Sequence, residues 1–128
     1  MPLSDAAIRF ALVGLGALTG AMLRYGIQCY GAAPPHSFYN TLAVNLIGCF
    51  LIGVAYNVLG RYASPAWSLL LITGLLGGFT TYSAFALDFV NLWREGHNAM
   101  ALAYWAVTSF MAPVCCAAGY FITHKLTQ

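Results

Sequence analysis

Gly74-Leu75-Leu76-Gly77-Gly78-Phe79-Thr80-Thr81-Tyr82-Ser83-Ala84-Phe85 lies inside a run, Tyr62 to Leu87, that contains no charged residue. Such a run is long enough to cross a bilayer as a helix, which takes roughly 20 residues. Yet the stretch carries three glycines and four consecutive hydroxyl residues, Thr80, Thr81, Tyr82 and Ser83. From Pro65 to Arg94 the span is longer than a straight crossing requires. Gly74, Gly77 and Gly78 permit a break in mid-span, and a break frees backbone carbonyls and amides. Broken backbone at membrane depth survives only where it is buried in protein or lines a cavity. Freed carbonyls are hard oxygen ligands, suited to a small cation.

The rest of the chain is consistent with a membrane setting. Of 128 residues 61% are hydrophobic and 6% charged, where a soluble domain has about 25% charged. The charges are Asp5, Arg9, Arg24, Arg61, Asp88, Arg94, Glu95 and Lys125, and the runs Tyr25–Gly60 and Gly96–His124 are free of them. A turn cluster, Gly31-Ala32-Ala33-Pro34-Pro35-His36-Ser37, divides the first of these, because proline removes amide donors and biases its predecessor away from helix. The reading is an all-α integral membrane protein, one transmembrane domain over residues 1–128, with four spans at about 7–30, 38–60, 66–94 and 99–123. Strands are excluded by the absence of period-two alternation. Asp5 before the first apolar stretch and Arg24 after it do not fit a cleaved signal peptide.

Enzyme chemistry is not visible, since there is no nucleophile–base pair, phosphate loop or metal cluster. The cysteines, Cys29, Cys49, Cys115 and Cys116, match no zinc or redox spacing and read as packing residues. His36, His97 and His124 fall in loops or at ends and receive no role.

With the N-terminus in the cytoplasm, Arg9, Arg61 and Lys125 lie inside against Arg24 and Arg94 toward the outside. That difference is close to no instruction under the positive-inside rule. The chain reads either as weakly N-in or as one that inserts both ways and pairs antiparallel, and charge does not decide between them. Gly16-x-x-x-Gly20 and the glycines of the second span, Gly48 and Gly53, let helix backbones approach, within one subunit or across a dimer.

Polar side chains in mid-span are expensive and therefore informative. Arg24 reads as snorkelling to the interface or as an electropositive vestibule. Asn45 must face a partner helix or a pathway, because an unpaired buried amide costs on the order of 2–7 kcal/mol. Tyr82 and Phe85 share a helical face at i, i+3, and Tyr104 and Thr108 share a stripe at i, i+4. These residues supply hydroxyl and amide donors and aromatic edges, the positive part of the ring quadrupole, while mid-membrane carboxylates are missing. Donors without acids point to an anion pathway. Composition and spacing do not name the anion.

At these residues the sequence resembles the Fluc (CrcB) family of fluoride channels. The likeness is carried by Gly20-Ala21-Met22-Leu23-Arg24-Tyr25, by Thr41-Leu42-Ala43-Val44-Asn45-Leu46-Ile47-Gly48 and its continuation to Gly53, and by Gly77-Gly78-Phe79-Thr80-Thr81-Tyr82-Ser83-Ala84-Phe85. It implies an antiparallel, dual-topology homodimer in the cell (inner) membrane, lipid on its outside, with two fluoride pores and a structural Na+ at its centre. The sodium ligands it implies are backbone carbonyls of Gly77 and Thr80 at a third helix broken over Gly77–Thr80. The implied fluoride pathway comprises Asn45, Tyr82, Phe85, Tyr104 and Thr108; the Ser83 hydroxyl is a further candidate donor along it, and Arg24 the candidate vestibule charge. Two departures stand out: the first pore aromatic, commonly Phe, is Tyr82, and the polar track stops at Ala112 where a hydroxyl residue often stands. Asp88 stands where the family often has another acid, and its role stays open. The implied activity is passive, fluoride-selective export that confers fluoride resistance, with no nucleic-acid partner. The alternatives are a small dual-topology proton-coupled multidrug exporter and a non-transporting assembly subunit. The exporter needs a membrane-embedded carboxylate, and the first span offers only Asp5 at its start.

Overall fold

The computed structural model describes residues 3–34 and 36–127. Four helical segments in it are long and apolar enough to cross a membrane: Ser4–Tyr30, Phe38–Arg61, Pro65–Arg94 and Asn98–Leu126. In full, α1 runs Leu3–Tyr30 and α2 runs Phe38–Tyr62. The third crossing divides into α3 (65–79) and α4 (Tyr82–Arg94), and α5 spans Asn98–Leu126. The predicted spans are therefore present, with α1 beginning four residues earlier and α5 ending three residues later than the apolar pattern suggested.

The turn between α1 and α2 is held by Asn40, whose side chain accepts from the Ala32 N–H and donates to the Ala32 carbonyl, both at 2.8 Å. Asn40 is buried, so its amide closes a loop that would otherwise leave peptide groups unpaired in an apolar setting. At the turn between α4 and α5, Gly96 takes a φ of 81°, the left-handed conformation that ends helices cheaply only at glycine.

Two close pairings make the subunit. α1 lies along α3, and α2 lies along α5. A Cβ added at Gly16 or Gly20 would collide with the carbonyls of Leu70 and Leu75, and one at Gly53 or Gly119 would collide with those of Cys116 and Phe50. The Gly16-x-x-x-Gly20 pair is thus used inside the subunit, packing backbone against backbone. The four cysteines are free thiols.

The third crossing differs in detail from the sequence expectation. Its interruption falls at Thr80 and Thr81, which are extended (φ −78°, ψ 156° and φ −152°, ψ 116°), while Gly77–Phe79 remains α-helical. The correction from Gly77–Thr80 has a physical cause. Gly74 and Gly78 are taken up by contact with α1, where an added Cβ would stand 2.8 Å from the Val13 carbonyl and 2.5 Å from that of Ala17. The bend is made instead by β-branched threonines, which favour extended backbone. Upstream, Ser68–Leu76 forms a π-helix, a wider coil rare outside functional segments, which the sequence did not announce.

Candidate functional site

Asn45 lies on α2 opposite the interruption. Its amide nitrogen donates to the Thr81 carbonyl at 2.9 Å and its amide oxygen accepts from the Thr81 N–H at 2.7 Å. Because Thr81 offers one donor and one acceptor, this pairing fixes which way the amide points. In an unbroken helix the Thr81 N–H would go to the carbonyl of Gly77, four residues back. It goes to Asn45, so the Gly77 carbonyl is released. One turn on, the Ala84 N–H, which would return to Thr80, is taken by the Thr81 hydroxyl at 3.2 Å. Thr81 is thereby the N-cap of α4, and the Thr80 carbonyl is released as well. The Thr80 N–H and hydroxyl both donate to the Leu76 carbonyl at 3.0 Å.

A cavity opens beside this clamp, between α2, the interruption and α5. Its wall includes Asn45, Tyr82, Phe85 and Thr108, together with Thr80 and Thr81. Phe85 is 3% exposed and Tyr82 is 79% exposed, so the cavity has a packed inner side and an open outer side. The two rings stand 5.3 Å apart at 60°. Phe85 leans in turn on Tyr104 at 5.2 Å, and Tyr104 meets Phe38 edge-on at 5.4 Å. These aromatic contacts fix the Phe85 ring, and the edge of such a ring is its weakly positive part.

Thr108 is buried, and its hydroxyl has no hydrogen-bond partner. A buried hydroxyl without a partner costs about 1–3 kcal/mol, and Thr108 is among the residues that line the cavity. Asn45 retains one amide hydrogen after serving Thr81. Among the described residues, neither Asp nor Glu lines this cavity. What the wall offers is uncharged donors and ring edges, a setting for a small anion.

Not every expected residue lines it. Tyr104 sits behind Phe85, where its hydroxyl donates to the Asp88 carboxylate at 3.3 Å. Ser83 is exposed, and its hydroxyl pairs with that of Thr81 at 3.2 Å. Arg24 is half-buried on α1 with its Nε lacking a partner, and it stands outside this wall. Two contributors escaped the sequence reading. Thr81 clamps and caps, and its signal was the hydroxyl residue placed just ahead of an apolar helical run. Ser109 lines the cavity beside Ala112 and supplies a hydroxyl where the expected track had stopped.

The family model described as "CrcB-like protein, Camphor Resistance (CrcB)" matches residues 11–120. Among similar proteins, the fluoride-specific ion channel FluC of Rhizobium johnstonii is 39% identical over 126 residues, covering 93% of this chain and 98% of its own. The protein of that name from Paracoccus denitrificans is 42% identical over 96 residues, covering 74% and 77%. That of Pseudomonas putida is 40% identical over 124 residues, covering 88% and 94%.

Proposed function

The chain belongs to the CrcB-like family, and from that premise we propose that it is a fluoride-selective channel, a multi-pass membrane protein and not an enzyme. One observation carries the reading: Asn45, Phe85, Tyr82 and Thr108, whose hydroxyl is unpartnered, line one cavity with neither Asp nor Glu among its described residues. Fluoride reaches the cytoplasm as neutral HF, dissociates there and is trapped. The channel lets the anion leave the cell through the inner membrane, with the potential contributing about 2.3 kcal/mol per charge per 100 mV.

Fluoride is small and strongly hydrated, so its water must be replaced along the way. The Thr108 hydroxyl and the remaining Asn45 amide hydrogen donate directly, and the edges of Phe85 and Tyr82 complete the shell. Tyr104 and Ser83 extend the path on either side, and Arg24 draws anions to one mouth. Uncharged partners suit conduction, because an ion must be held well enough to enter and loosely enough to leave.

The cavity's open side needs a second wall. A second copy in the opposite orientation would supply it, which suits a chain whose basic residues are almost evenly divided between its ends. The two released carbonyls, Gly77 and Thr80, belong to the same assembly. From two copies they form a set of hard oxygen ligands that fits Na+. Held by the Gly77 and Thr80 carbonyls, Na+ would supply a fixed positive charge that ties the two breaks together, as a structural and not a transported ion.

Reconstituted vesicles loaded with fluoride test the function. A fluoride electrode is expected to record rapid efflux once an ionophore relieves the charge, with chloride retained. Equal chloride and fluoride fluxes, or fluoride flux that requires a proton gradient, would overturn it.

A further inference from the structure

A second polar recess lies in the cleft between α2, α3 and α5, at the end where α2 and α5 finish. It is a cavity of about 430 Å³ whose lining includes Arg61, Asn57, Tyr56, Ser68, Thr73 and Tyr120. Arg61 is fixed rather than waving in solvent. Its Nε donates to Asn57 at 3.2 Å, one terminal nitrogen to the Thr127 carbonyl at 3.4 Å, and the other to His124 Nδ1 at 2.8 Å. Asn57 is buried and donates onward to the Thr123 hydroxyl at 3.1 Å. Its partners on Asn57 and Thr127 are neutral amide oxygens, and two of its five N–H donors remain. Among the described residues, neither Asp nor Glu lines the recess.

The position of the recess gives the charge a purpose. Tyr56 follows Asn45 and Cys49 along one stripe of α2, since 7 and 11 residues are about two and three turns. The recess therefore lies on the same stripe of α2 as the mid-membrane cavity. It also lies at the end where Arg9, Arg61 and Lys125 gather against Asp5 alone. At the other end Arg24 and Arg94 face Asp88 and Glu95, so the formal net charge of +2 resides at the recess end.

We propose that this recess is an anion-receiving site, with Arg61 its recognising charge, and that it loads fluoride into the cleft from the end opposite Arg24. The inference rests on the channel reading and adds a residue to it. The volume agrees: a water occupies about 30 Å³, so the recess takes an anion with its first shell of water intact. Dehydration is left to the donors deeper in. A single fixed charge at a mouth raises local anion concentration, an effect that ionic strength screens.

The test is fluoride efflux from vesicles holding full-length protein, at low and high fluoride and at low and high ionic strength. Arg61→Gln is expected to lower flux about fivefold at low fluoride and low salt, with the deficit shrinking as either rises and selectivity over chloride intact. Arg61→Lys restores most of the flux. Thr73→Glu, at an exposed position on the same wall, is expected to reproduce the deficit without disturbing the Arg61 contacts. A wild-type protein without fluoride-selective flux overturns the channel reading and this inference with it. A conducting wild type matched at low fluoride by both Arg61→Gln and Thr73→Glu overturns the inference alone.

Discussion

Thr108 carries a conflict between stability and transport that one substitution exposes. Its hydroxyl is buried without a partner, which penalises the fold, and the residue lines the cavity that an anion would occupy. Thr108→Val keeps the shape and removes the polar atom. The expected result is a more stable protein, by about 1 kcal/mol, that conducts fluoride at least about tenfold more slowly, since one lost hydrogen bond to an ion is worth about 1.5–3 kcal/mol. Thermal unfolding in detergent and vesicle efflux measure the two halves. Lower stability with unchanged flux would mean that the hydroxyl serves the fold. At this scale the sequence was partly legible. It showed that Asn45 must have a partner, because a lone amide in an apolar span is too costly to leave. It did not show that the partner is the peptide unit of Thr81, 36 residues away, because such a pairing exists only once α2 lies against the interruption. Asn45 thus combines the two roles that its sequence left open, interhelical bond and cavity wall.

At the scale of the elements, the interruption depends on two side chains taking backbone donors from a helix. Asn45 takes the Thr81 N–H, and the Thr81 hydroxyl takes that of Ala84. Thr81→Val keeps the β-branch and removes the cap. The Ala84 N–H then turns back to the Thr80 carbonyl, α4 lengthens, and the released carbonyl is lost. The expectation is a stability loss of about 1 kcal/mol, typical for an N-cap, and, if the released carbonyls hold Na+ as proposed, a smaller stabilisation by that ion. Comparing unfolding in Na+ with unfolding in a large organic cation checks both, and Thr81→Ser, which can still cap, is expected to behave as wild type. The four spans were legible because apolar runs bounded by charge and proline leave few other structures in lipid. The place of the break was harder. Glycine marks both breaks and close approaches, and here Gly74 and Gly78 serve approach to α1 while the threonines make the bend. The π-helix at Ser68–Leu76 left no trace in composition, since its register is set by what α3 packs against.

At the scale of the whole molecule, the open side of the cavity asks for a second wall. The sequence could suggest that wall but not draw it, because lipid and a second copy both accept exposed apolar side chains such as Leu87 and Phe110. Orientation is more tractable, because it depends on few charges. Arg9, Arg61 and Lys125 mark one end, and Arg24 and Arg94 mark the other. Removing Arg94 and adding a lysine at exposed Ser64 strengthens the first end, whereas removing Arg9 and Lys125 and adding a lysine at exposed Asn98 strengthens the second. By the positive-inside rule each variant is expected to insert one way only, which labelling of a terminal tag from outside intact cells would read. If the pathway forms between oppositely inserted copies, each variant alone fails to protect cells from fluoride, although it folds and inserts. Expressed together they restore protection, since each supplies the orientation the other lacks. Full fluoride efflux from either variant alone would mean that the second wall comes from a parallel copy or from no copy at all.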